Sequence, residues 1–309
     1  MINGDDHDRL AFLKARKNGI GGSDIAAILG VSKFKTAVDV YLAKTNPNPN
    51  PQEDNAEHLY WGHALEAPIA RRFTQETGLE IMLNPPITQH SEYEWAIGNA
   101  DGLILNAGKI DGILEIKTSS AYNTREWGAE NSDEVPMAYI AQVQWYMGIF
   151  DVAYSYLAVL IGGNQYKHYR LERDQELIEL LLSRAADFWQ NHVQAGVPPE
   201  PANANDVFRL YPNDDGNTVE ADTETLIVYN ELKSLKQQEK EIKQQIEVHE
   251  ELLKTKIGSH ATMQIDGNAI FTWEAQSTNR FDSKAFKAAY PDLYQSFTKT
   301  TQSRILRLK

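Results

Sequence analysis

Asp101 is followed fourteen positions later by Glu115-Ile116-Lys117, two carboxylates and an ammonium within reach of one another if the intervening chain folds back on itself. On a strand, Glu115 and Lys117 project from the same face of the sheet because side chains alternate, and Asp101 falls in a turn between two strands. Hard oxygen ligands suit Mg²⁺ or Mn²⁺, which need few protein groups and keep several waters, and a neighbouring lysine can orient water and stabilise charge on an attacked phosphate. That is the chemistry of phosphodiester hydrolysis. The same three residues also read as solvent-facing charges on a half-buried strand, so other segments have to decide.

Three segments bear on the choice. Gly19-Ile-Gly-Gly-Ser-Asp, just after Arg16, opens a helix with free backbone N–H groups and the Ser23 hydroxyl, an arrangement suited to phosphate or to a tight interhelical turn capped by Ser23. It is not a dinucleotide fingerprint, since the glycine spacing differs and no strand precedes it. Trp61-Gly-His-Ala-Leu-Glu66 places a carboxylate on the helix leading into the strands, either beside a metal or in solvent. Gln142 and Gln144 lie on the helix after the strands, where an uncharged amide either holds the attacking water or faces solvent.

The elements that must position these groups are visible in the periodicity. Residues 7–46 read as two helices meeting at the hinge Gly19, Gly21, Gly22, and residues 46–52, rich in Asn and Pro, as a connector. Leu65, Ile69 and Phe73 follow helical spacing, with Gly78 closing the helix. Short apolar runs at Ala96-Ile97, Leu103 to Leu105 and Ile113 to Ile116 read as strands, with Gly108 at a hairpin. A helix is expected over 136–150, strands over 155–161 and 167–171, and a helix over 174–194. Strands bracketed by helices imply an α/β core with a mixed central sheet. The spacing predicts a core over 1–196, a linker over 197–219 after Gly196-Val-Pro-Pro, and an extension over 220–309. Within the extension, Leu232, Leu235, Ile242, Ile246 and Leu253 mark a long amphipathic helix whose heptad is interrupted by Glu239 and His249. A hairpin at Asp266-Gly267 follows, and a small α+β tail closes the chain.

Composition narrows the function. The chain has 309 residues, 43 acidic against 30 basic, a net charge of −13 and no cysteine, which excludes a disulfide framework, a thiolate nucleophile, cysteine-ligated zinc and a cysteine-bound iron–sulfur cluster. The expected location is the cytoplasm, because Met1 to Asp8 is acidic where a signal peptide is basic and no run is long enough to span a membrane. The acidity is uneven. Residues 1–49 carry seven basic and five acidic side chains and residues 276–309 seven against two, so the excess of acid lies in the middle, where metal-holding carboxylates would be.

R-x-x-G-I-G-G-S-D, W-G-x-x-x-E, D-G followed by E-I-K, and the Y-x-A-Q-V-Q helix occur here in one order, and the combination resembles the YqaJ-type viral recombinases, the phage alkaline exonucleases related to lambda exonuclease. The resemblance covers residues 9–195, and the tail from Arg280 to Lys309 also resembles the C-terminal extension of such phage proteins. It implies a restriction-endonuclease-like core of the PD-(D/E)xK class that digests linear double-stranded DNA from the 5′ end and leaves a 3′ single strand for annealing. By that resemblance Asp101, Glu115 and the Ile116 carbonyl hold Mg²⁺ (or Mn²⁺), Glu66 completes the site, Lys117 is the catalytic lysine and Gln142 stands beside it. Arg16 and Ser23 match groups that hold the terminal 5′ phosphate, with Arg125 as the nearest arginine to a third. Ala100 replaces the proline of the motif, Asn123 stands where lambda exonuclease has its phosphate-pocket arginine, and Asn99 where it has a phosphate-binding serine. The implied partners are double-stranded DNA ends, further copies of the chain in a trimeric ring, and a RecT-like single-strand annealing protein. Two other readings stay open: an endonuclease on the same core, and a non-catalytic DNA-end-binding or recombinase-docking module.

Overall fold

A computed structural model describes residues 16–46, 57–129, 132–300 and 303–309, and the chain divides into two compact units after Leu210. The first unit holds helices α1 (Gly22–Ile28), α2 (Ala37–Thr45), α3 (Glu57–Thr77), α4 (Met137–Phe150), α5 (Gln175–Phe188) and α6 (Ala204–Leu210). Its strands are β1 (Glu80–Leu83), β2 (Thr88–Gln89), β3 (Ile97–Gly98), β4 (Gly102–Asn106), β5 (Lys109–Ser119), β6 (Tyr154–Ile161) and β7 (Gln165–Glu172). Five of them form one sheet in the order β1-β4-β5-β6-β7, and β2 and β3 pair separately.

The sheet is mixed, as the sequence implies. Its β5–β6 pair is parallel and the others antiparallel, and a parallel pair needs a crossover, which α4 supplies. Ala107 and Gly108 join β4 to β5, both with positive φ (49° and 75°), the backbone twist that a two-residue hairpin requires. Alternation along the strands separates two cores. Ile113, Leu157, Val159 and Ile161 pack with Ile25, Val143, Met147 and Leu181 of the α1, α4 and α5 layer. Ile104, Leu114, Ile116 and Ala158 pack on the other face against Ile69, Ala70 and Phe73 of α3. Odd-numbered residues from Ile113 to Lys117 therefore face α4.

Three points of the sequence reading need correction. The glycines at 19 and 21 do stand between helical residues, 16–17 before them and α1 after, but they are not a free hinge: Ile20 donates its N–H to the Trp95 carbonyl (2.7 Å) and accepts from Ile97 N–H (2.9 Å), so this stretch is extended and fastened beside β3. A Cβ at Gly19 would stand 2.5 Å from the Trp95 carbonyl oxygen, which is why glycine is needed there. The part of the expected 7–46 helices before Arg16 lies outside the described residues, as do residues 47–56 of the connector. Strand β1 had no expectation at all, because Glu-Ile-Met-Leu directly after a helix carries too short an alternation to register.

The third concerns the linker. Its segment 204–210 is α6, held to the core by Asp206, 1% exposed, which accepts from Thr36 Oγ1 (3.0 Å) and Ala202 N–H (3.0 Å), and by the Arg209–Asp39 ion pair. The first unit thus runs past residue 196. The second unit contains α7 (Thr223–Ile257), a hairpin of β8 (Thr262–Ile265) and β9 (Asn268–Thr272) turning at Asp266-Gly267, and the short helices α8 (Ser283–Ala289) and α9 (Pro291–Ser296). Among the described residues no helix is long and apolar enough to cross a membrane.

Phe73 is fully buried and its ring meets Tyr156 and His168 edge-on at 5.0 and 5.8 Å. Phe73→Ala should therefore cost about 3–5 kcal/mol in urea unfolding of the first unit; a loss under about 1 kcal/mol would mean that α3 is not anchored through this ring.

Candidate active site

The ladder between β4 and β5 ends at the pair Gly102–Leu114, while β5 continues to Ser119 beside β6 alone. Past that point the Ile116 N–H has no strand partner on the β4 side, and the Asp101 carboxylate takes it, Oδ2 accepting at 2.8 Å. This bond carries Asp101 into the notch next to Glu115 and Lys117. Glu115 is 1% exposed. Its Oε1 accepts from Lys117 Nζ (2.6 Å) and from Gln142 Nε2 (2.6 Å), whereas its Oε2 is buried without a hydrogen-bond partner.

Neighbours fix the geometry of each group. Gln142 also donates to the Tyr146 hydroxyl (3.2 Å) one helical turn on. The Lys117 ammonium lies 5.2 Å from the Tyr139 ring centroid, and Tyr139 stacks on Trp127, which stacks on Tyr169. Gln144, the other glutamine of the pair, is used elsewhere: it donates to the Glu172 carbonyl (2.8 Å) and accepts from Asp174 N–H (2.9 Å), tying α4 to the start of α5. Glu66, on α3, accepts from or shares a proton with His63 Nδ1 at 2.9 Å.

Negative charge is in surplus at the notch. Burial pushes the Glu115 carboxyl up, and Asp101 beside it pushes further; burial likewise raises Asp101 against the pull of Lys117. Glu66 is raised by burial and then by the charge of Asp101. Burial alone would lower the Lys117 ammonium, but Glu115 and Asp101 outweigh it and hold the lysine protonated. Among the described residues, no three His, Asp or Glu side chains lie together as a ready cage. The fit is instead that of a hard cation taking one or two carboxylates and keeping its waters: the partnerless Glu115 Oε2, Asp101, the adjoining Ile116 carbonyl and, from α3, Glu66 are the oxygen donors available.

The glycine-rich segment reaches the same place. A Cβ on Gly22 would stand 2.7 Å from the Tyr146 ring and 2.9 Å from Gln142 Cγ, so α1 begins in direct contact with the glutamine that grips Glu115. Arg16 Nη2 donates to Ser23 Oγ (2.9 Å), bringing together two of the three expected phosphate-holding groups. Ser23 is not the helix cap. Gly21 is, with its N–H donated to Asp24 Oδ2 (3.1 Å). Arg125 sits exposed on the 3₁₀ segment Ala121–Glu126, and no hydrogen bond or ion pair joins it to Arg16 or Ser23.

Sequence reading missed Asp24 and Lys44. They form a buried ion pair (2.7 Å), Lys44 also donating to the Arg16 carbonyl (2.7 Å), and Arg16 approaches Asp24 at 3.8 Å. Together they lock the Arg16–Ser23 segment. Asp24 lies within the glycine-rich motif, but no local pattern links it to a lysine on α2. Tyr146, at i+4 from Gln142, was findable from helical spacing.

Comparison with known proteins bears on this site. The YqaJ-like viral recombinase domain matches residues 11–153, which contain every one of the groups above except Tyr169, Glu172 and Asp174. The YqaJ protein of Bacillus subtilis (strain 168), described as uncharacterized, is 32% identical over 323 aligned positions that span 100% of this chain and 97% of that protein. Among solved structures, an alkaline exonuclease (LHK-Exo) from Laribacter hongkongensis matches with a TM-score of 0.48 and 18% identity, covering 60% of this chain and 93% of the other. A phage-related exonuclease from Haemophilus somnus 129PT matches with a TM-score of 0.41 and 15% identity, covering 57% of this chain and 94% of the other.

Removing one partner of a buried ion pair leaves an uncompensated charge, at a cost of about 3–5 kcal/mol. Lys44→Met should lose that much stability in urea, and adding Asp24→Asn should return a substantial part of it. If the double variant is no more stable than the single one, Lys44 acts through its bond to the Arg16 carbonyl and not through Asp24.

Proposed function

The chain belongs to the YqaJ-like viral recombinase family, and from that premise we propose that it is a Mg²⁺-dependent deoxyribonuclease that digests linear double-stranded DNA from the 5′ end on a restriction-endonuclease-like PD-(D/E)xK core. The observation that carries the reading is the buried Glu115 carboxylate. One of its oxygens is held by Lys117 and Gln142 while the other, beside Asp101, has no partner.

Asp101, Glu115, the Ile116 carbonyl and Glu66 would hold the cation, with Mn²⁺ as a substitute. A divalent ion bound there supplies Lewis-acid stabilisation to the phosphate under attack. The chain's own groups do the rest. Lys117, kept charged by Glu115 and Asp101 and steadied against Tyr139, orients the attacking water and offsets charge that develops on the phosphate oxygens. Gln142 fixes the Glu115 carboxylate so that the oxygen left over points one way. Arg16 with the Ser23 hydroxyl forms the pair of donors for a terminal 5′ phosphate, a planar guanidinium being suited to two phosphate oxygens at once. The DNA left behind would be a 3′ single strand, the substrate for an annealing partner of the RecT kind, and a ring of three copies would keep the enzyme on one duplex.

The test is digestion of a linear duplex labelled at one 5′ or one 3′ end, beside a closed circular duplex, with Mg²⁺ or with EDTA. Release of mononucleotides from the 5′ end is expected, with no attack on the circle and no activity in EDTA. Lys117→Ala should lower the rate by about 10²–10³-fold with DNA binding retained, and should also lower the urea midpoint, because it leaves the buried Glu115 carboxylate without its ion-pair partner. Cutting of the circle would make the protein an endonuclease on the same core, and binding without any cleavage would make it a DNA-end-recognition module.

A further inference from the structure

Every residue of α7 from Lys233 to Leu253 is exposed, including Leu235 (60%), Ile242 (56%), Ile246 (51%) and Leu253 (44%). These four belong to one stripe, Val228, Leu232, Leu235, Glu239, Ile242, Ile246, His249, Leu253, spaced alternately by four and three. That is the seam of a two-stranded coiled coil. The opposite face is largely polar, with Lys233, Gln237, Lys240, Gln244, Glu247 and Glu251, and Val248 is an apolar exception on it. An apolar stripe of this length left in water marks a contact surface.

Glu239 and His249 interrupt the stripe, and their positions select the occupant. In a parallel, in-register pair each seam residue meets its own copy, so Glu239 would face Glu239, a destabilising approach of like charges. In an antiparallel pair the two kinds of seam position face each other, and a two-fold axis at Gln244 sets Glu239 against His249, Ile242 against Ile246 and Leu235 against Leu253, each twice. Both interruptions then meet, and every other central layer is apolar. His249 holds its Nδ1 against the Gln245 carbonyl of its own helix (2.7 Å), which leaves Nε2 for the facing carboxylate. The flank agrees, since Lys236 lies opposite Glu250. Lys243, which approaches its own copy near the axis, is engaged by Glu239 of its own helix (2.6 Å).

We propose that α7 pairs with α7 of a second copy of this chain as an antiparallel coiled coil in the register that joins Glu239 to His249. The inference stands apart from the nuclease reading, because α7 belongs wholly to the second unit.

The test uses the full chain. Sedimentation velocity should show the mass of the assembly halved in the Ile242→Asp/Ile246→Asp variant, whatever contacts the first unit makes; an unchanged mass would overturn the proposal, including in favour of α7 lying on its own chain. Glu239→Lys should weaken association at least about ten-fold, and adding His249→Glu, which restores an opposite-charge pair, should recover it. Register is read by cross-linking, the chain having no cysteine of its own. Gln245→Cys, beside the axis, should form a disulfide with its own copy. Leu235→Cys should not, since its two copies would stand about 27 Å apart along the axis at about 1.5 Å per residue, but it should cross-link when mixed with Leu253→Cys. Efficient self-cross-linking of Leu235→Cys would show a parallel pair and overturn the proposal.

Discussion

A backbone N–H that loses its strand partner organises the first unit. Where the pairing of β4 with β5 stops, on the N-terminal side of Gly102, the Ile116 N–H would be buried and unpaired, at a cost of about 1–3 kcal/mol, and the Asp101 carboxylate satisfies it. That single bond determines where Asp101 points. It also leaves β5 free on one side over the stretch where Glu115 and Lys117 project toward α4, so the end of a ladder becomes a notch lined with charge. The two cores on either face of the sheet keep the notch open, since neither β5 nor β6 can shift without disturbing Leu114 and Ile116 on one side and Ile113 and Val159 on the other.

Burying two carboxylates together costs stability unless each is paired. Here the compensation is incomplete. Lys117 and Gln142 satisfy one oxygen of Glu115, and no group of the described chain satisfies the other. Around this deficit the structure adds order, with Tyr139, Trp127 and Tyr169 in a column beside the lysine and Gly22 pressed against Gln142 and Tyr146. Asp24 and Lys44 hold the approach from Arg16 to Ser23. On the proposed reading, this unsatisfied carboxylate is where a divalent cation would sit.

Local rules made part of this legible. Alternation along Ile113 to Lys117 placed Glu115 and Lys117 on one face, Gly108 marked the hairpin, and the spacing of Leu65, Ile69 and Phe73 gave α3 its buried stripe. The choice of Gln142 over Gln144 came from family resemblance, and the two are told apart physically only by what they reach across the fold. Long-range pairings were not legible. The extended stretch at Ile20 depends on Trp95 and Ile97, the Asp24–Lys44 pair spans two helices, and α6 is fixed by Thr36 and Asp39; none leaves a periodic mark in the chain. In the second unit Glu239 and His249 looked like faults in a heptad because one helix was considered alone, and they complement each other only across two.

The central claim is that Glu115 and Asp101 form the seat of a divalent cation. Crystals grown with Mn²⁺, measured near the manganese absorption edge, test it directly. An anomalous peak bound by Glu115 and Asp101, absent in Glu115→Gln crystals of the same form, is the result the account predicts. No peak there, or one that persists unchanged without the Glu115 carboxylate, would contradict it.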